Sequence, residues 1–126
     1  MATEKTRVLV VDDEAGLTRM VRLNLEKTGR FEVREENLAT RARATANEFK
    51  PHIVILDVVM PEMDGGEVLD AFRADGELKN VPVIFLTATL TKESANLRKG
   101  CIQGYPVIAK PVDSKDLIRA IEQNVA

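Results

Sequence analysis

Three acidic residues, one threonine and one lysine occupy a special kind of position in this sequence. Asp12 and Asp13 follow the apolar run Val8-Leu-Val-Val11, and Asp57 closes Ile53-Val-Ile-Leu56. Thr87 follows Pro82-Val-Ile-Phe-Leu86, and Lys110 follows Pro106-Val-Ile-Ala109. If these runs are neighbouring parallel strands, all five polar groups gather at one edge of the sheet. Three carboxylates held close together repel unless a cation joins them. Lys110 supplies one positive charge, and a divalent ion would satisfy the remainder. Hard oxygen donors with no thiolate or imidazole nearby in sequence favour Mg²⁺. Such a site suits phosphoryl transfer. A carboxylate takes the phosphoryl group while the metal, the ammonium and a hydroxyl stabilise its oxygens. Asp57 is the expected nucleophile, since its strand would lie between those bearing the acidic pair and Thr87.

The elements that must position these residues are legible as an alternation. Short continuous apolar runs read as strands buried on both faces. Between them lie stretches with helical spacing. Leu17, Met20, Val21 and Leu25 mark the first, which Gly29 stops. Phe31-Glu-Val-Arg-Glu35 alternates and reads as an edge strand. Residues 38 to 50 read as a helix with Asn37 as its cap and Pro51 after it. Residues 66 to 74 read as a short helix, and 89 to 99 as a polar one closed by Gly100. Asp113 caps a last helix carrying Leu117, Ile118, Ile121 and Val125. Five strand–helix units predict an α/β fold: a doubly wound, five-stranded parallel sheet in the order 2-1-3-4-5, a flavodoxin-like three-layer sandwich. In such sheets ligands sit beyond the carboxyl ends of the strands.

Composition narrows the function. A length of 126 residues predicts one domain over 1–126, large enough to build a core without staples. A net charge of −2 argues against direct nucleic-acid binding through a broadly basic surface. A single cysteine, Cys101, excludes an internal disulfide framework and a cysteine-based zinc cluster. His52 is the one histidine, and without partner ligands it reads as structural. No stretch reaches the length of a membrane span, and the first residues lack the apolar core of a signal peptide, so a cytoplasmic location is expected.

The sequence resembles the response-regulator receiver domains of two-component signalling. The matching stretches are Val8-Leu-Val-Val-Asp-Asp-Glu14, Ile55-Leu-Asp-Val-Val-Met-Pro-Glu-Met-Asp-Gly65, Phe85-Leu-Thr-Ala88 and Ala109-Lys-Pro111, in family order. The resemblance implies that Asp57 accepts a phosphoryl group from the phosphohistidine of a sensor histidine kinase or a histidine phosphotransfer protein. It implies that Asp13, Asp57 and the backbone carbonyl of Val59 ligate Mg²⁺, with Asp12 acting through a water. Lys110 would contact the phosphoryl group. Thr87 would carry the change to a face made by the fourth helix, fifth strand and fifth helix. A downstream protein target or effector domain, and a phosphorylation-dependent homodimer, are the implied partners. Pro61 and Gly65 would shape the loop after Asp57, and the Lys110–Pro111 bond would be cis. A domain that phosphorylates and dephosphorylates itself is consumed as substrate, so it is not a turnover enzyme. The chain ends one helix after Lys110, so an effector is not expected within it.

Two departures stand out. Where the family often has an aromatic three residues before the lysine, this chain has Val107, with Tyr105 two places earlier. Apolar Val59, two residues beyond Asp57, predicts slow autodephosphorylation. Two other classes fit parts of the pattern. A Mg²⁺-dependent hydrolase of the haloacid-dehalogenase type would carry a second Asp two residues after its nucleophile, and here Asp57 is followed by Val58-Val59. A flavodoxin-like cofactor binder would need a Ser/Thr/Gly-rich loop after the first strand, where Asp12-Asp13-Glu14 would repel a phosphate.

Overall fold

The computed structural model describes residues 5–58, 60, 65–87 and 105–125. Five parallel strands form one sheet in the order β2-β1-β3-β4-β5. They are β1 (Thr6–Val11), β2 (Phe31–Glu36), β3 (Ile53–Asp57), β4 (Val83–Thr87) and β5 (Val107–Ala109). The helices are α1 (Ala15–Glu26), α2 (Ala42–Phe49) behind a 3-10 turn at Ala39–Arg41, α3 (Gly65–Arg73) and α4 (Ser114–Asn124). The helix expected over 89–99, together with Cys101, lies outside the described residues.

The apolar runs are continuous because each central strand feeds two cores. Leu9, Val11, Val54, Leu56, Val83 and Phe85 pack with Ala42, Ala46 and Phe49 of α2 and Val68, Leu69 and Phe72 of α3. Their alternates Val8, Val10, Ile53, Ile55, Ile84 and Leu86 pack with Val21 and Leu25 of α1 and Leu117 and Ile121 of α4. Helices thus cover both faces, as parallel pairing requires. The β2 strand sits at an edge, with Phe31 and Val33 inward and Glu32 exposed, as its alternation predicts.

Local chemistry sets the ends of the elements. Gly29 takes φ +79° after α1, a conformation a glycine adopts at no steric cost. Lys50 takes the left-handed conformation at φ 55° and ends α2 just before Pro51. His52 is structural: its Nδ1 accepts the Arg7 backbone N–H at 2.9 Å, and its own N–H donates to the Arg7 carbonyl at 2.8 Å. That exchange locks the start of β3 to β1. Asp113 caps α4, its Oδ1 accepting the N–H of Lys115 at 2.8 Å. The Lys110–Pro111 bond is cis. Asn37 does not cap a helix. Its amide turns instead to the end of β1, because the chain passes from β2 into the 3-10 turn through Leu38 with no side-chain cap.

Candidate functional site

Register brings the polar strand ends together. Val11 pairs with Leu56, so Asp12 leaves β1 beside Asp57 at the end of β3. Asp57 pairs with Leu86 and Thr87 with Ala109, so Lys110 follows one step beyond β5. The Lys110 backbone N–H donates to the Thr87 carbonyl at 2.8 Å, which fixes the start of its side chain. That side chain reaches back across β4 and β3. Its Nζ lies 2.8 Å from Asp12 Oδ2, 3.0 Å from Glu14 Oε1 and 3.6 Å from Asp57 Oδ2. Asp12 is fully buried, Asp57 is 5% exposed and Thr87 is 8% exposed, so water screens these groups poorly.

Gly65, at the start of α3, lies close against the end of β3. The Gly65 N–H donates to the Val58 carbonyl at 2.8 Å. A Cβ at Gly65 would stand 2.6 Å from the Asp57 carbonyl oxygen and 3.0 Å from Val58 Cα. Only a residue without a side chain permits this approach to the end of β3. Val59 and Pro61 lie outside the described residues.

The electrostatics follow from burial. Burial pushes the Asp12 carboxyl above the ordinary carboxylate range, and the Lys110 ammonium and the Glu14 backbone N–H offset this only in part. Burial would lower the Lys110 pKa, but contact with Asp12 and Glu14 and the charge of Asp57 override it and hold it above the usual range. Lys110 is therefore a fixed positive charge. One oxygen of Asp12, Oδ1, accepts the Glu14 N–H at 2.9 Å. The other, Oδ2, is buried and meets the Lys110 ammonium at 2.8 Å as an ion pair.

Carboxylate oxygens of Asp12, Asp13 and Asp57 lie within 4.8 Å of one another. Two of these residues are buried and Asp13 is exposed, so the cluster opens to solvent on one side. Three carboxylates beside one ammonium leave an excess of negative charge, and an all-oxygen donor set of this kind fits a hard divalent cation.

Asp12, Asp13, Asp57, Thr87 and Lys110 all fall at this edge, as their spacing predicts. Two participants had no place at the site in the sequence reading. Glu14 shares the Lys110 ammonium across 96 residues of chain, and Asn37 donates to the Asp12 carbonyl at 2.8 Å. The run Asp12-Asp13-Glu14 was a visible hint of the first, and nothing local marked the second. Val107 packs against the α2–α3 core from β5, as does Tyr105 just before it. The Tyr105 ring meets Phe85 edge-on at 5.8 Å, and its hydroxyl accepts from Arg73 Nε at 3.1 Å. The aromatic is thus seated on β4 from a place two residues earlier than the family pattern.

A doubly wound parallel sheet with an acidic cluster and a lysine at its carboxyl edge defines a class of phosphoryl-handling signalling domains. Residues 8–122 match the family model of the response regulator receiver domain. The chain belongs to that family, whose members act in two-component systems. It is 35% identical over 127 residues to the response regulator Rre1 of Synechocystis, covering 97% of this chain and 52% of that protein. It is 30% identical to the polar-differentiation response regulator DivK of Brucella anthropi, covering 91% of this chain and 92% of DivK. Among solved structures, the chemotaxis protein CheY4 of Vibrio cholerae superposes with a TM-score of 0.83 at 28% identity, covering 98% of this chain and 100% of CheY4. The chain spans about half the length of several curated relatives, 52%, 47% and 51% for Rre1 and two DNA-binding regulators. Neither the hydrolase nor the cofactor-binding reading finds support in these likenesses.

Proposed function

We propose that residues 1–126 form one receiver domain that takes a phosphoryl group onto Asp57. The donor is the phosphohistidine of a sensor histidine kinase or phosphotransfer protein. A carboxylate oxygen of Asp57 forms the new P–O bond as the P–N bond breaks, and the electron pair leaves on the imidazole nitrogen. Asp13 and Asp57 would hold Mg²⁺ with the Val59 backbone carbonyl, and Asp12 would stand behind them. When bound, the ion neutralises charge on the transferring oxygens.

Lys110 supplies the second cation. Because its pKa is held above the usual range, it acts as a resident charge rather than as a proton donor. Its ammonium, 3.6 Å from Asp57 Oδ2, is within a small displacement of any oxygen added there. Thr87 offers a hydroxyl from the adjacent strand end. Its movement would alter the surface built by the 89–99 segment, β5 and α4, where a downstream target, an effector domain or a second copy would dock. The domain is consumed and restored rather than turning over an external substrate. It works in the cytoplasm, and no helix among the described residues is long and apolar enough to cross a membrane.

The observation that carries this reading is the Lys110 ammonium shared by Asp12 and Asp57 across three strand ends. Incubation with acetyl phosphate tests it. Stable incorporation should require Mg²⁺ and vanish in Asp57→Ala. Undiminished incorporation in that variant rejects Asp57 as acceptor.

A further inference from the structure

Among the described residues, Asn37 is the side chain that grips the peptide joining the two adjacent acids of the site. Its Nδ2 donates one hydrogen to the Asp12 carbonyl at 2.8 Å and the other to Thr18 Oγ1 at 2.9 Å. Both amide hydrogens are therefore used. Thr18 is fully buried in α1, and its hydroxyl faces Glu35 Oε1 at 2.8 Å. The other Glu35 oxygen pairs with Arg22 Nε at 3.2 Å. The amide is thus held in place by groups of both β2 and α1.

The need for such a grip follows from the sheet. The Asp12 N–H still donates to the Glu36 carbonyl at 3.1 Å, which is the last backbone bond between these strands. β2 ends at Glu36, so no further backbone N–H is offered to the Asp12 carbonyl. The Asn37 side chain supplies that donor and extends the ladder by one rung. The peptide it fixes is the one between Asp12 and Asp13, which sets the direction in which the Asp13 carboxylate leaves the turn. A buried carbonyl without a donor would otherwise be free to rotate toward solvent or the acidic cluster.

We infer that Asn37 is a positioning residue that presets the Asp12–Asp13 turn for a divalent cation, acting through the Asp12 carbonyl. The inference rests on the metal-binding reading of the acidic cluster and adds to it the residue that holds the ligands ready. Groups that orient metal ligands from behind usually change affinity by about 10–100-fold when removed.

Magnesium chloride titration of the purified chain, followed through backbone amide resonances, tests it against a simple loss of stability. Asn37→Ala should weaken Mg²⁺ binding by about tenfold. It should also speed amide exchange at Asp13 and Glu14 in the metal-free chain. Thr18→Val should weaken binding less, because the amide keeps its bond to Asp12. Val21→Ala removes core packing from α1 and should lower the melting temperature while leaving the Mg²⁺ affinity of the folded chain unchanged. Wild-type affinity in Asn37→Ala, or equal weakening in Val21→Ala, overturns the positioning role while leaving the metal site standing. Absence of saturable binding in the wild-type chain overturns both.

Discussion

Asp12 and Asp75 are buried carboxylates at opposite ends of the same sheet, and they are treated in opposite ways. Asp75 is 8% exposed, beyond the end of α3. Its Oδ2 accepts from Arg43 Nε at 2.9 Å and Asn47 Nδ2 at 3.0 Å, and its Oδ1 accepts the Glu77 N–H at 2.9 Å. Asn47, the Glu77 N–H and Arg43 hold its pKa down at about 2. Asp12 is fully buried, shares the Lys110 ammonium with Glu14 and Asp57, and is pushed up by burial. Asp75 is satisfied by the fold and ties α2 to the segment after α3. Asp12 belongs to a cluster whose carboxylates outnumber the ammonium they share. Burial alone therefore does not mark a candidate functional carboxylate; burial in a cluster of like charge does.

That contrast can be broken most forcefully at Lys110. Lys110→Met removes the cation among three carboxylates, and the metal-free chain should lose on the order of 3 kcal/mol at neutral pH, the low end for breaking a buried ion pair. Mg²⁺ should restore part of that loss, which chemical denaturation with and without the ion would measure. An unchanged midpoint would mean the site carries no electrostatic tension.

Gly65→Ala comes next. Its Cβ would meet the Asp57 carbonyl at 2.6 Å, and overpacking of this kind costs about 2 kcal/mol. Phosphoryl incorporation should fall with it, since the strain lands on Asp57, the proposed acceptor. Stability lost with incorporation intact would separate the loop from the site.

A smaller effect, of opposite sign, is expected from Asp12→Asn. A carboxyl whose folded pKa is raised above 3.8 contributes stability below that value and loses it as pH rises through the folded pKa. The metal-free variant lacks this loss, so its melting temperature should exceed the wild type's by a margin that widens above pH 3.8, while its Mg²⁺ affinity falls. Asp75→Asn should show the reverse and the least. A lowered pKa gives stability that is present above 3.8 and disappears as pH falls toward about 2, so the variant is less stable near neutrality and equal to the wild type in strong acid. Parallel melting curves for the two variants across that range would erase the distinction between the two aspartates.

The sequence made one end of this comparison legible and not the other. Asp12, Asp57, Thr87 and Lys110 each interrupt an apolar run, and parallel strands buried on both faces force such interruptions to the same edge. The strand order and the edge position of β2 followed from the same pattern. Asn37 was read as a helix cap because its type and place suit one, whereas its partners Asp12 and Thr18 lie 25 and 19 residues away. The Asp75 cluster joins residues 28 and 32 apart, and Glu14 meets Lys110 across 96. Periodicity reports which face a residue takes and says nothing of which distant side chain stands opposite.

The most direct test of the account is to locate the modified residue. After brief treatment of the full chain with acetyl phosphate and Mg²⁺, peptide mapping by mass spectrometry should place one phosphoryl group on Asp57, with none when the ion is chelated. A phosphoryl group on another residue, or on Asp57 without regard to Mg²⁺, would contradict the site described.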